Sequence, residues 1–333
     1  MRWTDLYLNA ASVVVERQVT VDEAVAAGWY DAEEAERTRQ RAVAVADSSG
    51  PDLGVAAGRA ALRASGLPPA DVGLLIHASC YFQGVEFWNA GAYVQHHVLG
   101  HGDATAFELR QMSNGGMCAL DLAAGQLAAR STVAAALLTT GDRFCEPGFP
   151  RWRTDRGLVF GDAGTAVVLS RRPGPLRLVA TASYAAPELE GLHRAPFAVG
   201  FHEAGPVDLM DRKQRFLKTM PVSEVTARNE AGMLTAIKRC LEDAEASIDD
   251  MTTVVVPFFG ADLSAKQCFR PIGLRAEQTL LEWGLEIGHL GSGDQFAGLA
   301  HLLDTRALTR GQRVLLVGVG AGFTWTCAIV EKE

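Results

Sequence analysis

Nowhere in this 333-residue chain is there a run of about 18 apolar residues, the length a helix needs to cross a bilayer. The opening stretch MRWTDLYLNAASVVVERQ also lacks the unbroken apolar core of a secretory signal, so a soluble, cytoplasmic protein with no membrane partner is expected. Long basic runs are missing too. Lys and Arg number 31 against 39 Asp and Glu, a net charge of −8 that argues against a phosphate-binding surface and against nucleic acid as a partner. The six cysteines, at 80, 118, 145, 240, 268 and 327, include no C-x-x-C pair, and most stand in apolar runs such as MCALDLA and TWTCAIV. Zinc ligation and a disulfide framework are therefore not expected, and buried thiols are.

What the chain has is apolar content, 48%, enough for one large core or two packed halves. Two distant stretches repeat in kind. PDLGVAAGRAALRASGLPPADVGLLIHAS (51 to 79) reads as an amphipathic helix, a Gly-Leu-Pro break and a buried strand, and EAGMLTAIKRCLEDAEASIDDMTTVVVPFFG (230 to 260) repeats the order. Later in each half an apolar strand meets a glycine-containing turn, VAAALLTTGDR (133 to 143) and RVLLVGVGAGF (313 to 323). Continuous apolar strands are those buried on both faces. The expectation is an α/β protein of duplicated halves with layered sheets, 1–172 and 173–333, divided near the Pro-rich LSRRPGPLRL (169 to 178). Residues 190 to 220 fit neither half and read as an inserted loop and helix of the kind that covers a site.

Three segments carry chemistry. ATAFELRQMSNGGMCALDLAAGQLAAR (104 to 130) reads as a strand through Met112, a sharp turn holding Ser113, and a helix from about Gly115. The helix start offers unpaired N–H groups and a partial positive charge to a developing oxyanion, although on this segment alone a cap at Ser113 or Asn114 is the favoured reading. EIGHLGSGDQFAGLAHLLD (286 to 304) supplies His289 and Asp294, and Gly291 and Gly293 let the intervening loop fold back so that the carboxylate reaches the imidazole. The plainer alternative is a polar loop whose Asp294 caps the following helix. VGVGAGFTW (317 to 325) sets Gly320 and Gly322 after a buried strand; its spacing is not that of a dinucleotide loop, and Gly322 reads as a backbone oxyanion donor.

In order, these segments resemble ketoacyl-acyl carrier protein synthase III and its acyltransferase relatives over nearly the whole chain. AFELRQMSNGGMCALDLA is similar to that family's nucleophile segment with Ser113 in the cysteine position, and LVFGDAGTAVVLS (158 to 170) to its glycine-rich strand and turn. GHLGSGD (288 to 294) matches its asparagine segment and GVGAGFTW its C-terminal loop. The resemblance implies a thiolase-like fold in an αβαβα arrangement, a homodimer, and no resident cofactor, the acyl-CoA or acyl-phosphopantetheine being substrate.

Two departures shape the expected activity. Phe258 stands where the condensing enzymes carry a histidine after Val-Pro, and His289 where they carry asparagine. The set Ser113, His289 and Asp294 then resembles a subgroup of bacterial natural-product pathways, polyketide and antibiotic among them. An acyl-serine intermediate is implied, with the N–H groups of Ser113 and Gly322 as oxyanion hole. The acyl group passes from a carrier protein or CoA to a hydroxyl, amine or carrier thiol. The alternatives are a starter-unit synthase that condenses with decarboxylation, a hydrolase, and a non-catalytic synthase-like partner. Lys213, Arg215 and Lys218 are candidate contacts for a pantetheine phosphate or an acidic carrier, as much as a solvated helix face. His96 and His97 read as helix residues near a subunit contact, and Cys118 as packing.

Overall fold

The computed structural model describes residues 1–197 and 205–333. Eleven strands run in chain order: β1 Tyr7–Val14, β2 Arg17–Thr20, β3 Ala42–Val45, β4 Val72–Ala78, β5 Thr105–Leu109, β6 Ala135–Asp142, β7 Ala163–Ser170, β8 Leu176–Ala185, β9 Met251–Val255, β10 Arg313–Gly320 and β11 Thr324–Lys332. Nine of them hydrogen-bond in the order β5-β4-β6-β7-β1-β8-β11-β10-β9, and β2 pairs with β3 apart.

Outward from the centre the two halves follow the same rule. β1 pairs antiparallel with β7, β7 with β6, and β6 runs parallel to β4; β8 pairs antiparallel with β11, β11 with β10, and β10 runs parallel to β9. Within the sheet the halves pair at the start of β1, where Tyr7 and Leu8 face Arg177 and Leu176. The inner strands of each half are buried on both faces. In β7, Val167 and Leu169 join the central core while Ala166 and Val168 face the outer helix Gly50–Ser65. In β10, Val314 and Leu316 point inward while Leu315 and Val317 join the core beneath the outer helix Val222–Asp243, which packs on β8 and β11. The helices Gly115–Ala129 and Asp294–Asp304 lie between, each touching strands of both halves. The result is the layered α/β arrangement expected, and the unbroken apolar runs are its sequence mark.

Local signals set the ends of these elements. Ser49 caps the helix Gly50–Ser65 through its side chain, and Gly66, at φ 65°, ends it in the left-handed conformation that glycine adopts freely. One expectation fails by three residues: the strand before Ser113 stops at Leu109, not Met112. Gln111 has left extended backbone (φ −127°, ψ 32°) and Met112 is left-handed at φ 48°, so neither continues a strand.

Of the inserted stretch 190 to 220, residues 198–204 lie outside the described residues. The rest includes the helix Leu209–Phe216, and it lies against the first half: Val207 donates to the Gly148 carbonyl, Leu209 to that of Thr154, and Lys213 meets Asp155 at 2.6 Å.

Candidate active site

The turn Met112–Asn114 places Ser113 half-buried where the helix Gly115–Ala129 begins. Met112, left-handed without being glycine, is the kind of strained residue that persists only when its surroundings hold it. Here the Ser292 hydroxyl donates to its carbonyl at 3.1 Å. Two glycines let the second half come this close. A Cβ on Gly115 would lie 2.8 Å from Ser292 Oγ, and one on Gly116 2.6 Å from the Ser292 carbonyl oxygen. Neither Ser113 nor Asn114 caps the helix; the Asn114 side chain donates instead to Thr326 Oγ1.

The loop 288 to 294 brings the other two residues to the serine. Ser113 Oγ lies 2.7 Å from His289 Nε2, and His289 Nδ1 lies 2.6 Å from Asp294 Oδ2. His289 and Asp294 are 3% and 1% exposed, so water competes for neither. Asp294 is acceptor to two further backbone N–H groups, Phe258 at 2.8 Å on Oδ2 and Leu290 at 2.7 Å on Oδ1. A carboxylate so supplied with donors has no proton to give, which assigns the imidazole proton to Nδ1 and leaves Nε2 as an acceptor facing the serine hydroxyl. Asp294 is thus occupied with orienting the ring and caps nothing. The His289 backbone is fixed in turn, its N–H donating to Val159 and its carbonyl accepting from Gly161. Phe160 and Phe259 flank the ring, at centroid distances of 5.3 and 5.7 Å.

Other expected residues fall at graded distances. Gly322, φ 141°, sits in the turn between β10 and β11, a conformation closed to most side chains. The strand before it packs on the nucleophile turn, because Gly318 and Gly320 press against Asn114. Phe258 supplies its backbone to Asp294, while its ring turns to Trp283, edge to face at 5.4 Å. Lys213 is engaged by Asp155, and exposed Arg215 by Asp211; Lys218 is exposed. His96 and His97 stack beside Tyr93 on the helix Ala90–Val98, away from the triad. Cys118 lies inside its helix, where burial raises its thiol pKa. No cluster of three metal-ligating side chains occurs among the described residues, and no helix among them is long and apolar enough to cross a membrane.

Three neighbours escape a reading of the sequence. Cys80 Sγ lies 3.8 Å from Ser113 Oγ and 3.4 Å from Ser292 Oγ, with its thiol pKa pushed well up by burial. Ser292 holds Met112, and Asp142, fully buried, collects backbone N–H groups from both sides of the site. Beside them Phe144, Phe149, Phe160, Leu158 and Leu209 form a buried cluster, so the inserted segment covers the aromatic wall next to the serine.

Comparison with known proteins gives this geometry a setting. A family model described as 3-oxoacyl-[acyl-carrier-protein] synthase III C terminal matches residues 241–332. A solved structure, "ChlB3 [Aceyltransferase]", is 34% identical and superposes with a TM-score of 0.94, covering 99% of this chain and 98% of that one. The acetoacetyl CoA synthase NphT7 of Streptomyces sp. strain CL190 is 29% identical over 97% of both chains. A β-ketoacyl-[acyl-carrier-protein] synthase III of Rhizorhabdus wittichii is 27% identical over 89% of both.

Proposed function

The chain belongs to the ketoacyl-acyl carrier protein synthase III-like family of thiolase-fold enzymes, and from that premise we propose that it is an acyltransferase working through an ester on Ser113. The observation that carries the reading is the Ser113–His289–Asp294 chain, at 2.7 and 2.6 Å. Ser113 attacks the carbonyl of an acyl thioester as its proton passes to His289 Nε2. Asp294 steadies the imidazolium, and the N–H groups of Ser113 and Gly322 hold the oxyanion. The C–S bond then breaks, the departing sulfur takes the proton from His289, and the acyl group is left as an ester. An incoming hydroxyl, amine or carrier thiol loses its proton to the same nitrogen and displaces Ser113. No resident cofactor takes part; the CoA or phosphopantetheine arm enters with the donor.

Transfer is favoured over condensation by position 258. Decarboxylation needs a donor pair to stabilise an enolate, and Phe258 has no side-chain donor and spends its backbone N–H on Asp294. The relatives include an acyltransferase and an acetoacetyl-CoA synthase, so both chemistries occur around this chain. A carrier-protein donor in a natural-product pathway is the setting we assign. Exposed Lys218 is its contact in preference to Lys213 and Arg215, whose charges Asp155 and Asp211 meet.

The test supplies acyl-CoA and acyl-carrier donors together with malonyl carrier protein labelled at its carboxyl carbon. Acyl mass on the peptide bearing Ser113, with no labelled carbon dioxide released, is expected. Labelled carbon dioxide coupled to a β-ketoacyl product and dependent on Ser113 would replace this reading with starter-unit condensation. Donor consumption without any acceptor product would make the protein a hydrolase.

A further inference from the structure

We propose that Asp142 is a positioning residue that holds the histidine loop of the second half against the nucleophile turn of the first; the proposal rests on the acyl-serine reading above. Asp142 ends β6, and its side chain is wholly buried. Its Oδ1 accepts from the backbone N–H groups of Cys80 at 2.8 Å and Tyr81 at 2.9 Å, just beyond β4. Its Oδ2 accepts from Ser292 N–H at 3.2 Å, across the boundary between the halves. One carboxylate thereby joins three segments separated by 62 and 150 residues.

The connection runs on to the serine. Ser292, held at its N–H by Asp142, donates its hydroxyl to the Met112 carbonyl, and Met112 is the left-handed residue that presents Ser113. Cys80, held at its N–H by the same carboxylate, sets its sulfur against both Ser113 Oγ and Ser292 Oγ. Gly291 fits the arrangement: at φ 60° it passes so close that a Cβ there would lie 2.5 Å from Asp142 Oδ2. Asp294 aims the imidazole within its own loop. Asp142 sets where that loop stands relative to the serine, a separate task that no residue of the triad performs. An amide in its place keeps the volume but turns one acceptor into a donor facing an N–H, so the loop no longer seats against the turn as the carboxylate holds it. Acylation depends steeply on such misplacement, about 1 Å being enough for a 10²-fold loss, whereas donor binding in the approach does not.

The experiment measures the rate of Ser113 acylation by intact-protein mass spectrometry, over a series of acetyl-CoA and acyl-carrier concentrations, for the wild type, D142N, S292A and the double variant. D142N is expected to lower the maximal acylation rate 10- to 100-fold with the half-saturating donor concentration unchanged within about twofold. S292A should lower it about 3- to 10-fold, and the double variant should fall little below D142N because both break one tie. A folded D142N, judged by circular dichroism and a cooperative melt, that acylates at the wild-type rate overturns the proposal. If D142N does not fold, S292A decides, and a wild-type rate there overturns it. Failure of the wild type to acylate at Ser113 with any donor fails the acyl-serine reading itself, a result distinct from either variant outcome.

Discussion

The two halves share a strand order but finish their outer edges differently. Beyond β4 the first half adds β5, whose residues are mostly exposed and include a half-exposed Phe107, and the nearby loop presents Phe82, Val85, Phe87 and Trp88 to solvent. Beyond β9 the second half adds no strand among the described residues. A bridge from Val254 to Thr279 and the helical stretch 261 to 287 lie over that edge. The chain leading to His289 thus closes its own edge, while the chain leading to Ser113 leaves one open. An exposed apolar edge strand is a surface that proteins ordinarily cover. A second copy of the chain, in the homodimer that the sequence resemblance leads one to expect, would cover it. The proposed chemistry divides the same way, nucleophile from the open half and base with its orienting partner from the closed one.

The sharpest break in that division is Ser113→Ala, which should abolish the acyl-enzyme altogether; acyl mass on Cys118 or Cys80 in this variant would move the nucleophile elsewhere. On the closed side, His289→Ala should lower acylation and transfer together by about 10⁴-fold, near the upper range for general base catalysis. Asp294→Asn should lower them by about 10³-fold with the fold retained, because an amide no longer fixes the imidazole proton on Nδ1. A wild-type rate in either variant would leave the second half without its assigned task. The open edge is tested by Phe107→Asp combined with Phe87→Asp. Light scattering should give a dimer for the wild type and a monomer for the pair, with activity lowered several-fold; a monomeric wild type with full activity would remove the reason given for the exposed aromatics.

The smallest expected effect concerns the carboxylate between the halves. Burial pushes Asp142 up to about 6, against the pull of its three backbone N–H groups and of His289. Its pKa is therefore higher folded than unfolded, so its protonated form contributes stability that is present below about pH 4 and lost as the pH rises through 6. A shift of about two units amounts to roughly 3 kcal/mol across that window. The difference in unfolding free energy between wild type and D142N should therefore change in favour of the variant between pH 4 and 6. A difference that stays flat over this range would show that Asp142 titrates normally.

Much of this was legible in the sequence. The repeated order of helix, break and apolar strand marked the duplication, because strands buried on both faces leave no alternation to obscure them. Ser113, His289 and Asp294 could be singled out as candidates because each stands in or beside a glycine-rich turn at the start of a helix, in segments that resemble a known family's motifs. Asp142 was not. In TTGDR it reads as an ordinary turn aspartate, and only the return of residues 80 and 292, distant in sequence, surrounds it with donors. Ser292 looked like spacing between glycines for the same reason. The end of the strand before Ser113 was misplaced because apolar Met112 follows Arg110 and Gln111 as though the strand resumed, while the backbone has already turned.

Phe258 serves the site with its backbone and the surrounding core with its ring. What Asp294 takes from it is a main-chain N–H, which any residue but proline would offer, so selection on the triad places little constraint on the side chain. That side chain is meanwhile committed to Trp283 and to the space above Gly284, where a Cβ would lie 2.9 Å from its ring. A histidine placed at 258 on this backbone would be delivered into that same space, so it would be tolerated only with accompanying change at 283 and 284.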